Sequence, residues 1–219
     1  GGHQPVVDVA TQTHTSGMAP NVIGTLTGTV RPDEVVVVLG HLDDLPSSGL
    51  APGADDNASG AAMVVALAEA MACYRFDRTL RFVVVTGEEQ GLYGSEALVA
   101  ALDPGETVVA ALNGDMIGWQ GDAPATENLD INYNGASAWL GTLMTQAAAD
   151  YGTGCVINAF SCPTMVYSDH APFWSDGLSA VCGITDNEGF CGQWGTYPYY
   201  HTHNDTVKNC GDLSFFAGA

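Results

Sequence analysis

Histidines and carboxylates recur in this chain where an apolar run gives way to a loop rich in glycine or proline. His41, Asp43, Asp55 and Asp56 lie in the segment Gly40–Gly60, GHLDDLPSSGLAPGADDNASG. Glu88 and Glu89 stand between glycines in TGEEQG, Asp115 follows Asn113-Gly114, Asp169 and His170 lie in YSDH, and His201 and His203 come last. Each has a bland explanation on its own. Asp-Asp-Asn before an apolar segment is a ready helix N-cap, and a glutamate pair in a loop is ordinarily solvated. Convergence changes the argument, because clustered carboxylates repel one another and resist burial. One divalent cation relieves part of that cost, and two relieve it better. Imidazole with carboxylate and no thiolate suits zinc, with manganese or cobalt as substitutes. Hydrolysis at such a centre also needs a water and a general base. Adjacent residues at a strand end diverge, so one of the two glutamates can bind metal while the other acts as base. Amide or ester hydrolysis fits this supply. Nucleophilic catalysis fits poorly, since no G-x-S-x-G elbow is present and the cysteines lie away from the cluster. The spaced aspartates of a calcium loop are absent too.

These residues need elements to bring them together. Val35–Leu39 and Thr79–Thr86 are apolar runs of the kind buried on both faces of a sheet. Asn21–Val30, Val108–Leu112, Leu129–Tyr133 and Ala180–Ile184 also read as strands. Helices are expected from Asp55-Asp56-Asn57 to about Cys73, over Gly94–Ala101 and over Ala138–Tyr151, with a short one around Phe173 and Trp174 and a helical tail from Leu213. Residues 1–20 read as irregular. Strands alternating with helices predict a three-layer α/β domain, with each candidate residue at a strand tip, where α/β proteins keep their chemistry.

Composition narrows the class. At 219 residues, 46% hydrophobic and 14% charged, the chain is long enough for one domain with a sizeable core. It carries 25 acidic residues against five basic ones, a formal charge of −20. That field repels polyanions, so neither nucleic acid nor an anionic membrane is an expected partner. No Lys or Arg occurs between Phe82 and Val207, leaving little to grip a carboxylate or phosphate. No apolar run approaches a membrane span, and no signal-peptide pattern opens the chain. Six cysteines without metal-binding spacing predict disulfides in an oxidising compartment, with Cys182–Cys191 and Cys155–Cys162 as local pairings. Free buried thiols are the alternative.

The motifs GHLDD…APGADDNASG, TGEEQGLYGS, NGDM and YHTHNDT, in that order, resemble the M28 family of co-catalytic zinc aminopeptidases along roughly residues 20–210. Each motif is weak alone, and the four in order are specific. The resemblance implies a three-layer α/β/α fold of the zinc-peptidase kind, with a central mixed, mostly parallel sheet, in a single catalytic domain spanning 1–219. It implies two zinc ions: His41 and Asp115 on one, Glu89 and His201 on the other, Asp56 bridging. It makes Glu88 the general base toward a bridging water, Asp43 the support of the His41 imidazole, and Tyr200 a donor to the oxyanion. Ser168, Asp169 and His170 match a loop near the site, with Asp169 in a supporting role. His203 rivals His201 as ligand. The implied activity is removal of N-terminal residues from peptides by a secreted or periplasmic, monomeric enzyme.

The same resemblance carries departures and rivals. The N-terminal helical region and the long closing helix of many members are missing, so a compact version or an excised catalytic domain is expected. The cysteines before Ser168 also differ. A glutaminyl-cyclase-like acyltransferase would use one zinc, and a non-catalytic interaction domain would have lost ligands or the base. Retention of all five ligand types disfavours both. A free α-ammonium suits a carboxylate-lined site without basic residues better than a C-terminal carboxylate does. Phe173, Trp174, Trp194, Tyr197 and Tyr199 are candidates for an apolar pocket selecting large hydrophobic N-terminal residues.

Overall fold

The computed structural model describes residues 6–119, 128–152, 154–185, 191 and 197–210. Eight strands form one sheet: β1 (Asp8–Gln12), β2 (Asn21–Leu26), β3 (Arg31–His41), β4 (Arg78–Val85), β5 (Thr107–Gly114), β6 (Asn128–Tyr133), β7 (Val156–Ser161) and β8 (Ala180–Thr185). Four helices accompany them: α1 (Ala58–Met71), α2 (Tyr93–Ala100), α3 (Ala138–Tyr151) and α4 (Ala171–Ser175). The strand order is β1-β2-β4-β3-β5-β8-β6-β7. The centre, β4-β3-β5-β8, is parallel, while β1, β2 and the β6–β8 contact are antiparallel.

Side-chain alternation sorts the valine run between two layers. Val35, Val37 and Leu39 pack with Leu98 of α2 and Phe173 of α4. Val38 packs with Val64 of α1, and Val36 lies against the cluster of Leu140 in α3. So α1 and α3 cover one face and α2 and α4 the other, the three layers expected. The chain leaves β3 through α1 to β4 and returns through α2 to β5 on the other side of β3. The order in which strands are added therefore reverses at β3, and a crevice opens at its C-terminal end.

Close approach of α1 shapes that crevice. A Cβ on Gly60 would lie 2.1 Å from the Gly114 carbonyl oxygen, so only glycine lets the helix start sit on the end of β5. Among the three possible caps, Asn57 takes the role, and its Oδ1 accepts the Gly60 amide at 2.8 Å. The same oxygen accepts the Met116 amide at 3.1 Å, and Nδ2 donates to the Gly114 carbonyl at 2.9 Å. One side chain thus ties the start of α1 to the end of β5.

Two expectations need correction. The segment read as irregular includes β1, and β7 was not foreseen. Both are edge strands with much exposed surface, so neither shows the apolar run of a central strand. The disulfide is Cys162–Cys191, and neither Cys155 nor Cys182 takes part in one. Cys155 and Cys162 flank the extended β7, which holds them roughly 20 Å apart. Cys182 sits within β8, buried, with its thiol against Asn113 Nδ2. The helical tail from Leu213 lies outside the described residues. No described helix is long and apolar enough to cross a membrane.

Asn57→Ala removes the cap and orphans a buried carbonyl and a buried amide. The expected loss is roughly 3–5 kcal/mol from a cap plus two unsatisfied groups. Thermal unfolding should then shift down by on the order of 10 °C. A shift of less than about 2 °C would contradict this account of the α1–β5 junction.

Candidate metal centre

The C-terminal ends of the central strands deliver the residues. His41 ends β3, Glu88 and Glu89 follow β4, and Asp115 follows β5. Asp56 precedes the start of α1, and the Asp56–Asn57 peptide is cis. His201 comes from a late loop and has a left-handed backbone, φ 55°. Two sets of donors result: His41, Glu88 and Asp115, and Asp56, Glu89 and His201. Within each set the donor atoms lie within 4.8 Å of one another.

Asp56 faces both histidines. Its Oδ1 is 3.4 Å from His41 Nε2, and its Oδ2 is 3.2 Å from His201 Nε2. Asp115 Oδ1 is 3.3 Å from His41 Nε2, and Glu89 Oε2 is 3.0 Å from His201 Nε2. Yet His201 Nε2, Asp56 Oδ2 and Glu89 Oε1 are buried atoms with no aligned hydrogen-bond partner. Buried polar atoms are seldom left so. Aimed lone pairs of nitrogen and oxygen without sulfur form a donor set that fits zinc.

Neighbouring groups hold the donors in place. His41 Nδ1 lies 3.0 Å from the carbonyl oxygen of Asp43, the partner that orients the ring. The Asp43 carboxylate does a second job. It is 3.9 Å from the imidazole and accepts the amides of Gly87, Glu88 and Glu89 at 2.8, 3.3 and 3.1 Å. Three successive N–H groups in the turn after β4 make a nest that draws the anion. Ser168, reached by the Asn113 amide, donates to Asp115 Oδ2 at 2.6 Å. Asp169 is fully buried within electrostatic reach of His41, Asp115 and Asp43. Asp55 accepts the Gly118 amide at 2.7 Å and is no cap. His203 is exposed and belongs to neither set.

Burial dominates the electrostatics. It pushes the Glu88 carboxyl up to about 10, with Asp115 adding to the shift. It pushes Glu89, Asp169 and Asp55 each up to about 7. Burial alone would lower His41, but the Asp115 charge and hydrogen bond hold it well above the usual imidazole range. Three of the five cations lie elsewhere: Arg31, Arg78 and Arg81 pair with Glu34, Asp77 and Glu106 toward the opposite ends of β3, β4 and β5.

Beside Glu88 and Glu89 opens a cleft of about 460 Å³, lined further by Gly91, Leu92, Val166, Tyr167 and Tyr200. Tyr200 stacks on His201 with ring centroids 3.7 Å apart. The aromatic lining expected from sequence is elsewhere. Phe173 is core, and Trp174 donates to the Ala180 carbonyl from a layer packed on that core. Tyr197 is buried against Trp119 and Tyr199. Trp194 lies outside the described residues. Leu92 and Val166 had no distinguishing signal in sequence, since nothing in their type or spacing sets them apart from the apolar residues beside them.

The family model described as Peptidase family M28 matches residues 21–215. A probable zinc metalloprotease of Leptosphaeria maculans is 39% identical over 235 residues, covering 90% of this chain and 52% of that protein. The solved structure of a zinc aminopeptidase from Bacillus subtilis aligns with a TM-score of 0.74 at 25% identity, over 91% of this chain and 49% of that one. A glutaminyl cyclase from an Acidobacteriales bacterium aligns with a TM-score of 0.67 at 23% identity, over 98% and 76%, a likeness of fold alone. The chain spans about half the length of the curated relatives it matches over most of its own. With motifs, sheet order and donor sets in agreement with a match over nearly the whole chain, this protein belongs to peptidase family M28.

Proposed function

We propose that this chain is the catalytic domain of a secreted di-zinc aminopeptidase. The observation that carries the reading is Asp56, whose two oxygens face His41 and His201 in two adjoining donor sets. His41 and Asp115 would hold one zinc ion, Glu89 and His201 the other, and Asp56 would be shared. Manganese or cobalt could substitute. Bound there, the ions would supply Lewis acidity toward the scissile carbonyl and lower the pKa of water.

The chain's own residues do the rest. Glu88 belongs to the first donor set by distance, yet Asp56 Oδ1 would complete His41 and Asp115 as a third ligand. That frees Glu88 to take a proton from the attacking water and deliver it to the leaving amine nitrogen. Its high pKa reflects burial among anions, and cations alongside would bring it down into a working range. Tyr200, on the rim of the cleft, would donate its hydroxyl to the developing oxyanion. Carboxylates in the cleft would hold the substrate's α-ammonium. Leu92, Val166 and Tyr167 would receive a large hydrophobic side chain. The Cys162–Cys191 disulfide supports an oxidising, extracellular or periplasmic setting. Acyl transfer on the same fold remains the rival chemistry. One zinc per chain, with cyclisation of N-terminal glutaminyl peptides, would establish it instead.

Glu88→Gln should keep both zinc ions and lose at least 100-fold in kcat on leucyl anilide. Zinc analysis alongside kinetics checks it, and near-parental turnover would remove Glu88 from the role of base.

The pH dependence of stability has a definite sign. Burial raises Glu88, Glu89, Asp56 and Asp169, and hydrogen bonds and charges raise His201 and His41. Above about pH 4, where free carboxyls titrate, these groups therefore bind more protons in the ion-free folded chain than in the unfolded one. Their contribution to stability is greatest at acid pH and falls through about 7 for Glu89 and Asp169, and on toward about 10 for Glu88. Zinc competes with those protons, so the zinc-induced rise in melting temperature should be larger at pH 8 than at pH 5.5. Calorimetric scans with zinc and with a chelator measure both values; equal rises would refute it.

For specificity, leucyl and phenylalanyl anilides should exceed glutamyl and lysyl anilides in kcat/KM by roughly tenfold or more. Val166→Ala should lower the leucyl value several-fold and leave the alanyl value nearly unchanged. Equal turnover across the panel would rule out an apolar pocket.

A further inference from the structure

We propose that Asp205 is a positioning residue that sets Asp56 and His201 in register, and thereby the zinc affinity of the Asp56, Glu89 and His201 set. The inference rests on the di-zinc reading and deepens it.

Asp205 is buried, with 2% of its surface exposed. Its Oδ1 accepts the Asp55 amide at 2.9 Å and the Tyr197 hydroxyl at 2.6 Å. Its Oδ2 accepts the Asp56 amide at 3.0 Å. The backbone adds two ties between the same loops. Ala54 N donates to the Asp205 carbonyl at 3.3 Å, and Ser47 N to the His201 carbonyl at 2.7 Å. Asp205 lies four residues after His201 and 149 residues after Asp56 in sequence. The two donors that face each other across 3.2 Å thus come from distant parts of the chain, and this carboxylate fastens their loops together.

The fastening is itself anchored. The Tyr197 ring packs among Met116, Cys162 and Met165, against Trp119 and Tyr199. Asp55, held by Asp205 through its amide, accepts the Gly118 amide through its own carboxylate. The loop after Asp115 is therefore joined to the same network. His201 needs such support, because its left-handed backbone persists in a non-glycine residue only where the surroundings impose it.

The chemistry of the three partners explains why the residue is an acid. All three are donors, arriving on both oxygens, so the position requires an acceptor on each side. Asparagine has nearly the same shape but offers an acceptor on one side and an N–H donor on the other. In Asp205→Asn the amide group must oppose a backbone N–H of Asp55 or Asp56 or turn away from it. Either outcome loosens Asp56 relative to His201 without removing a ligand.

The test is zinc titration by calorimetry of chelator-stripped protein well below its melting temperature, with circular dichroism confirming the fold. The parental chain should take up two zinc ions. In Asp205→Asn one ion should bind as before and the other roughly 10–100-fold more weakly, the size of effect expected when a ligand's supporting contact is lost. Tyr197→Phe removes one of the three bonds and keeps the packed ring, so its weaker site should lose roughly threefold to tenfold. A purely structural role would lower the melting temperature and leave both affinities unchanged, and that result overturns the inference. If Asp205→Asn does not fold, Tyr197→Phe decides alone, and an unchanged second affinity overturns it. A parental chain that binds fewer than two zinc ions overturns the underlying reading, and the inference with it.

Discussion

Four carboxylates, from Asp56, Glu88, Glu89 and Asp115, meet two imidazoles at the end of the parallel centre of a mixed sheet. Two like charges about 4 Å apart repel by about 4 kcal/mol at an effective dielectric of 20. Several such pairs together would rival the 5–15 kcal/mol by which a whole domain is stable. The free chain eases the conflict by holding protons, which is why burial lifts Glu88 and Glu89 so far above their ordinary values. Divalent cations ease it without protons. The rest of the structure can be understood as what is required to keep this unfavourable cluster in one place.

The restraint comes from groups that surround the cluster. Asp43 gathers the amides of Gly87, Glu88 and Glu89, Asn57 locks α1 onto the end of β5, and Ser168 fixes Asp115. These bonds are mostly from side chain to backbone. They set where a loop runs, and the loop then aims its acid. The arrangement suits a site that must be rigid before any ion arrives, since preorganised donors need not reorganise on binding. It also separates stability from chemistry, because the cap of α1 and the donors lie on adjacent but different residues.

In the cleft beside Glu88 the same elements bring two kinds of surface together. Strand ends supply charge, while the loops after β4 and before α4 supply Leu92, Val166 and Tyr167. Charge and apolar surface therefore lie side by side, the combination on which the proposed recognition of a hydrophobic N-terminal residue relies. Arg31, Arg78 and Arg81 pair with acids toward the far end of the sheet, away from the mouth of the cleft.

Much of this was legible in the chain itself. The valine run announces a strand buried on both faces, and the acids and histidines announce themselves by type and by their place after apolar runs. Order along the chain and local spacing suffice for such features, because they depend on neighbours in sequence. What remained hidden depends on contacts between distant residues. The carbonyl rather than the carboxylate of Asp43 meets His41, and Cys162 pairs with Cys191 rather than with Cys155. Phe173 and Tyr197, expected at the pocket, are core, and the edge strands β1 and β7 exist only as partners of β2 and β6. Asp205 is one acid among 25 in the sequence, and only the folded chain places it beneath Asp56 with Tyr197 at its side. Residue types thus determined which chemistry was available, and tertiary packing decided which atoms perform it, because burial and hydrogen-bond direction are properties of the assembled fold.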